Sequence, residues 1–188
     1  HIQRILNIKA SWLIHRDGCI QVKLDVKKDM EFPFLPRFGL RLFLDQSLDR
    51  VRYCGMGPDE SYPDKHQASW HGIFEGDVRA MHRPYLKPQE YGSHWDCSWC
   101  ELSGEEMSFQ ASSKEGFMFQ ACEYTQEELS EKAHDFELKE AGCTVLCLDH
   151  NQSGIGSGSC GPQLLEKYQF NEPEFSRTWV ITPGKRKE

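Results

Sequence analysis

The chain contains no apolar run near the roughly 18 residues that a membrane-crossing helix requires. Its first residues, HIQRILNIKASW, have neither the apolar stretch nor the small-residue cleavage site of a secretory leader. Excess positive charge is also missing. With 22 Lys and Arg against 29 Asp and Glu, the formal net charge is −7. A nucleic-acid surface needs clustered cations to displace counterions, so that class is excluded, and the terminal GKRKE reads as a frayed end. There is no GxxxxGK[ST] phosphate loop, and no repeat of 20–50 residues that would signal a solenoid or propeller. The chain opens on His1 rather than Met. From this we expect a cut or processed chain, and from its length one domain, residues 1–188; the free thiols expected of its cysteines point to the cytoplasm.

Eight cysteines are present, several of them inside apolar runs such as CTVLCLDH (143–150). At 188 residues a core can form without disulfide staples, so these are expected to be buried free thiols. The one CxxC, Cys97 to Cys100 in HWDCSWC, has no second ligand pair to complete a zinc site. It also reads as strand, where residues three apart point to opposite faces, so neither a metal centre nor a redox dithiol is expected.

Period-two alternation dominates. In CIQVKLDV, Ile20, Val22, Leu24 and Val26 face one way and Gln21, Lys23 and Asp25 the other, which is a half-buried strand. Asp17-Gly18 signals a two-residue hairpin joining it to ASWLIHR. LRLFL (40–44), RVRYCG (50–55), ASWHGIFEGDVR (68–79), SHWDCSWCEL (93–102), EEMSFQAS (105–112), GFMFQACEY (116–124), CTVLCLDH and SRTWVITP (176–183) read as further strands. One short surface helix is expected over TQEELSEKAH, capped by Thr125 with Glu128 completing a capping box. The expected class is all-β, an antiparallel sandwich.

Two segments invite a chemical reading. GMGPDESYPD (55–64) holds three carboxylates, but Asp59 and Glu60 are neighbours and diverge. A glycosidase pair must flank one bond from opposite sides. Gly55 and Gly57 permit positive φ and Pro58 and Pro63 fix φ, so the segment reads as a rigid turn whose acids accept backbone hydrogen bonds. GIGSGSCGP (154–162) has the glycine content of an anion loop, yet no helix with a Lys follows it, and Cys160 has no base beside it in sequence. The five Trp, six Tyr and eleven Phe suit either a core or a sugar-binding face.

Four blocks carry a resemblance. GMGPDESYPDKHQA, PYLKPQEYGSHWD, YTQEELSEKAHDFEL and LDHNQSGIGSGSCGPQLLEKYQF, spread over about residues 36–170, resemble in order four signature segments of the C-terminal domain (domain 5, or small chain) of the large bacterial β-galactosidases of glycoside hydrolase family 2. The resemblance implies a supersandwich of the galactose mutarotase type. It implies no catalytic residue and no metal in this chain, both glutamates and the Mg and Na ions belonging to a TIM-barrel catalytic domain or large subunit. It also implies that Gly158, Ser159 and Cys160 line the mouth of a galactoside pocket. Gly55, Gly57, Pro58, Glu60, Tyr62, Pro63 and Asp64 are then turn-builders, and the parent is an oligomer in lactose catabolism. Two departures stand out. Lys65 replaces the usual Arg after YPD, and Ser93-His94 stand where the family has an Arg. Two alternatives on the same fold are a free carbohydrate-binding module and an aldose 1-epimerase, the latter drawing on His71, His82, His94, His134 or His150 together with a Glu.

Overall fold

In the computed structural model, residues 3–156 and 161–185 are described. They form an all-β antiparallel architecture of nine strands: β1 (Leu6–Ile14), β2 (Ile20–Lys28), β3 (Arg37–Leu44), β4 (Arg50–Gly57), β5 (Trp70–Asp77), β6 (Ser93–Ser103), β7 (Met107–Cys122), β8 (Thr144–Gln152) and β9 (Glu174–Lys185). One α-helix, α1 (Gln126–Glu131), follows β7. No helix among the described residues is long and apolar enough to cross a membrane.

The strands pair in the order β1-β2-β9-β7-β6-β4-β5, with β8 also on β7 and β3 on β8. The branch lies on β7. Residues 107–112 pair with β9, whereas 118–122 pair with β8, and β6 runs beside both halves. The alternation expected of β2 is present: Val22, Leu24 and Val26 are buried in a core shared with Tyr53, Leu102, Phe119, Leu148 and Trp179. A smaller cluster, Tyr91, Cys122, Leu129 and Val145, seats α1 through its one buried residue, Leu129.

Four expectations need correction. The segments 105–112 and 116–124 are one strand, because the polar residues 113–115 mark a change of neighbour rather than a turn; Gly116, at φ +70°, absorbs the irregularity. The β1–β2 hairpin encloses residues 16–18, not two residues. The His15 N–H donates to the Cys19 carbonyl at 2.8 Å and Gly18 takes φ +87°, the three-residue loop with a left-handed glycine. The capping box at α1 is half formed: Thr125 accepts from the Glu128 N–H at 3.1 Å, but the Glu128 carboxylate accepts from the Lys139 N–H. Finally, Cys97 and Cys100 do not face opposite ways. A register shift between Cys97 and Trp99 resets the alternation, and both side chains enter the core fully buried. Burial pushes both thiols far above the usual range, so neither is a thiolate at neutral pH.

Candidate functional site

The turn segment and the glycine-rich segment meet. The strand part of the former is longer than expected, since β4 runs through Gly57. Gly55 and Gly57 are extended rather than at positive φ. Their lack of a side chain serves close packing. A methyl at 55 would overlap the Cys97 sulfur, and one at 57 would overlap the Tyr53 hydroxyl. The chain then turns at Pro58, and a short bridge closes the end of the segment: the Tyr62 N–H donates to the Lys65 carbonyl at 2.9 Å and the Lys65 N–H returns the bond at 3.0 Å.

Each acid of the segment has its own anchor. Asp59 is exposed and accepts from Arg83 at 2.6 Å. Glu60, 6% exposed in its side chain, accepts from Lys65 Nζ (2.6 Å), the Tyr85 hydroxyl (2.5 Å) and the Gly92 N–H (2.8 Å). Burial works against its charge, but these three donors outweigh it and hold the carboxyl below its usual range. Lys65 thus supplies the cation for this acid. Between them, Ser61 donates its hydroxyl to the Met56 carbonyl and accepts from the Trp95 N–H, and the fully buried Tyr62 accepts from the Ser93 N–H. Asp64 reaches the other segment: Oδ1 accepts from the Ile155 N–H at 3.2 Å and Oδ2 from the Gly156 N–H at 2.9 Å. The acids do accept backbone hydrogen bonds, but from segments 32 and about 91 residues away along the chain rather than from within the turn.

Beside this hub lies a buried ion cluster that sequence reasoning missed. Arg37, the first residue of β3, donates to Asp149 on β8 through Nε at 3.3 Å and through Nη2, and to Glu90 through Nη1 at 2.7 Å. The close approach of β3 to β8 depends on Gly39, where a methyl would overlap the Leu148 carbonyl oxygen. Gln120, fully buried, donates to the Tyr91 carbonyl and accepts from Gln126. Burial lifts Glu90 to about 7; Arg37 opposes the shift, and Asp149 and Glu60 add to it. Burial likewise raises Asp149, against the pull of Arg37. The signal available in the sequence was a charged residue, Asp149, and an amide, Gln120, each interrupting an apolar strand run. Two clefts of about 480 and 320 Å³ flank Arg37. A further cavity of about 510 Å³ is lined by Asp49, Asp77, Arg79, Glu123, Glu140 and their neighbours and includes no member of the hub.

The two clustered carboxylates share one guanidinium, which occupies the space between them. With Arg37 bonded to both, the guanidinium stands where a substrate bond between the pair would have to lie. The histidines do not converge on it as a group. His94 is sandwiched between Tyr53 and Phe119 and bonds to the Met56 carbonyl, and burial lowers it to about 4, so it is neutral. His150 stacks on Phe175 and accepts from Arg177 at 2.9 Å. His82 pairs with Asp135, His134 lies beside Glu137, and His71 sits on the edge strand β5. Among the described residues, no group of three or more His, Cys, Asp or Glu is placed to hold a metal ion. Gly158, Ser159 and Cys160 lie outside the described residues. What is described is the root of their loop. Ser153 is buried, donating its hydroxyl to the Leu35 carbonyl at 2.5 Å and accepting from the Phe170 N–H at 2.9 Å.

The family model described as "Beta galactosidase small chain" matches residues 1–181. The chain is similar to a protein named beta-galactosidase from Actinobacillus pleuropneumoniae, 44% identical over 172 residues, covering 92% of this chain and 17% of that protein. It is also similar to those of Staphylococcus xylosus (38% over 169 residues; 89% and 17%) and Lactococcus lactis subsp. lactis strain IL1403 (34% over 163 residues; 86% and 16%). The chain thus spans 17% or less of the length of these three relatives.

Proposed function

The chain belongs to the beta-galactosidase small-chain family, and on that premise we propose that it is the non-catalytic β-sandwich portion of a lactose-hydrolysing β-galactosidase. In this reading residues 1–188 form one domain that buttresses a TIM-barrel catalytic portion and lends it the loop carrying Gly158, Ser159 and Cys160, which borders the galactoside pocket. The acid/base and nucleophile, with any Mg or Na ions, belong to the catalytic portion. The assembled enzyme is a cytoplasmic oligomer.

The observation that carries the reading is the commitment of the acids here to structural partners. Retaining hydrolysis needs two carboxyl groups about 5–5.5 Å apart across the anomeric carbon, one of them free to take up and release a proton. Glu60 is saturated by three donors, and Glu90 and Asp149 both close on Arg37. The coverage of the relatives supports it as well, since more than four fifths of their length lies outside the match. The test is to assay the purified chain with a nitrophenyl β-galactoside, alone and mixed with the remaining portion of the enzyme. We expect no turnover alone and recovery on mixing. Turnover by the pure chain, abolished by Glu60→Gln or Glu90→Gln, would refute the reading.

A further inference from the structure

We infer that Asp64 is a positioning residue for the pocket loop: its carboxylate sets the direction in which residues 154–156 lead into the segment that carries Gly158, Ser159 and Cys160. This rests on the proposed role of that loop in a galactoside pocket.

The geometry separates two anchors. The first holds Ser153, and Asp64 takes no part in it. The Ser153 N–H donates to the Pro36 carbonyl at 2.9 Å, its hydroxyl bridges Leu35 and Phe170, and the neighbouring Gln152 side chain donates to the Ser93 hydroxyl at 3.0 Å. The second begins one residue later and depends on Asp64. Two consecutive amides, of Ile155 and Gly156, converge on its two oxygens. Both flanking glycines are shaped around that carboxylate. A methyl at 154 would overlap it, and one at 156 would lie 3.0 Å from Oδ2. Gly154 also has φ +65°, a left-handed conformation that side chains resist. Asp64 itself does not wander, because Pro63 and the Tyr62–Lys65 bridge fix its backbone.

The chemistry calls for a carboxylate of this length. Two N–H donors facing two anionic oxygens make charge-assisted bonds, roughly twice as strong as neutral ones. An asparagine has one oxygen, and its NH₂ would oppose the second amide. A glutamate carries an extra methylene into a space already filled by the two glycines. The YPD and GIG segments, 91 residues apart, are therefore one mechanical unit.

The experiment uses Asp64→Asn in the complete enzyme, with Gly156→Ala as a second variant that keeps the acid but crowds it. Two readouts are taken. Hydrogen exchange at the Ile155 and Gly156 amides should quicken by about tenfold or more, while Leu146 and Leu148 in the core stay protected. KM for a nitrophenyl galactoside should rise by about threefold or more, as for loss of part of one positioning contact, with thermal midpoint unchanged. Unchanged exchange at 155 and 156 overturns the inference. So does faster exchange with unaltered KM and kcat, provided that Cys160→Ala alters them. If Cys160→Ala is also silent, the pocket reading itself has failed and the inference falls with it.

Discussion

Glu60 and Glu90 sit close enough to influence one another, yet they should respond to pH with opposite signs. Glu90 is raised from an ordinary 4.5 to about 7 because burial disfavours its charge more than Arg37 favours it. A folded state that binds the proton more tightly than the unfolded chain loses stability as pH climbs from about 4.5 through 7. At 1.36 kcal/mol per pH unit the full displacement is worth roughly 3 kcal/mol. A quarter of the Glu90 side chain still meets solvent, so we expect about 1–3 kcal/mol. Glu90→Gln keeps the shape and an acceptor for Arg37 but removes the charge. It should therefore stabilise the protein by that amount at pH 8 and be near neutral at pH 4.5. Glu60 is depressed, so its contribution is complete above its unfolded value and disappears as pH falls through the folded one. Glu60→Gln should therefore destabilise at pH 7 by about 1–3 kcal/mol, the range for a lost charged hydrogen bond, and cost progressively less as pH falls below 4.5 towards 3. Urea unfolding followed by the fluorescence of the buried Trp179, repeated at these pH values, measures both. If Glu90→Gln destabilised at pH 8 as much as Glu60→Gln does at pH 7, attraction to Arg37 would exceed the burial penalty and the reasoning would be wrong.

Other outcomes follow from the same cluster and core. Arg37→Met leaves Asp149 and Glu90 buried without a cation and should cost about 3–5 kcal/mol in urea unfolding at pH 7, less at pH 5 where both acids take protons more readily. Gly55→Ala should cost roughly 1–3 kcal/mol through overlap with the Cys97 sulfur, and Cys97→Ala in the same protein should recover part of it. In native protein at pH 7.5, the buried thiols of Cys97, Cys100, Cys122 and Cys147 should resist a disulfide reagent, while the half-buried Cys19, Cys54 and Cys143 react first.

Alternation alone was enough to read the class of fold. Residues 20–26 and 143–150 show a strand that buries one face or both, and the structure pairs them as such. The failures share a cause. The boundary of β7, the orientation of Cys97 and Cys100, and the extended Gly55 and Gly57 all depend on which strand lies alongside. That information resides in residues far away along the chain. The acids of residues 55–64 were recognised as acceptors, but not that Glu60 would take an N–H from Gly92 or Asp64 two from 155 and 156. Arg37, Glu90 and Asp149 lie in three separate segments, and only folding makes them neighbours.

β7 has one neighbour, β6, beside both its halves on one flank and two successive neighbours on the other, β9 and then β8. Each half of this strand ties down a different wing of the molecule, so no wing can peel away without tearing hydrogen bonds from the same sixteen residues. Such a seam couples the melting of one end to that of the other, and lets a blow to either wing be felt across the whole sheet.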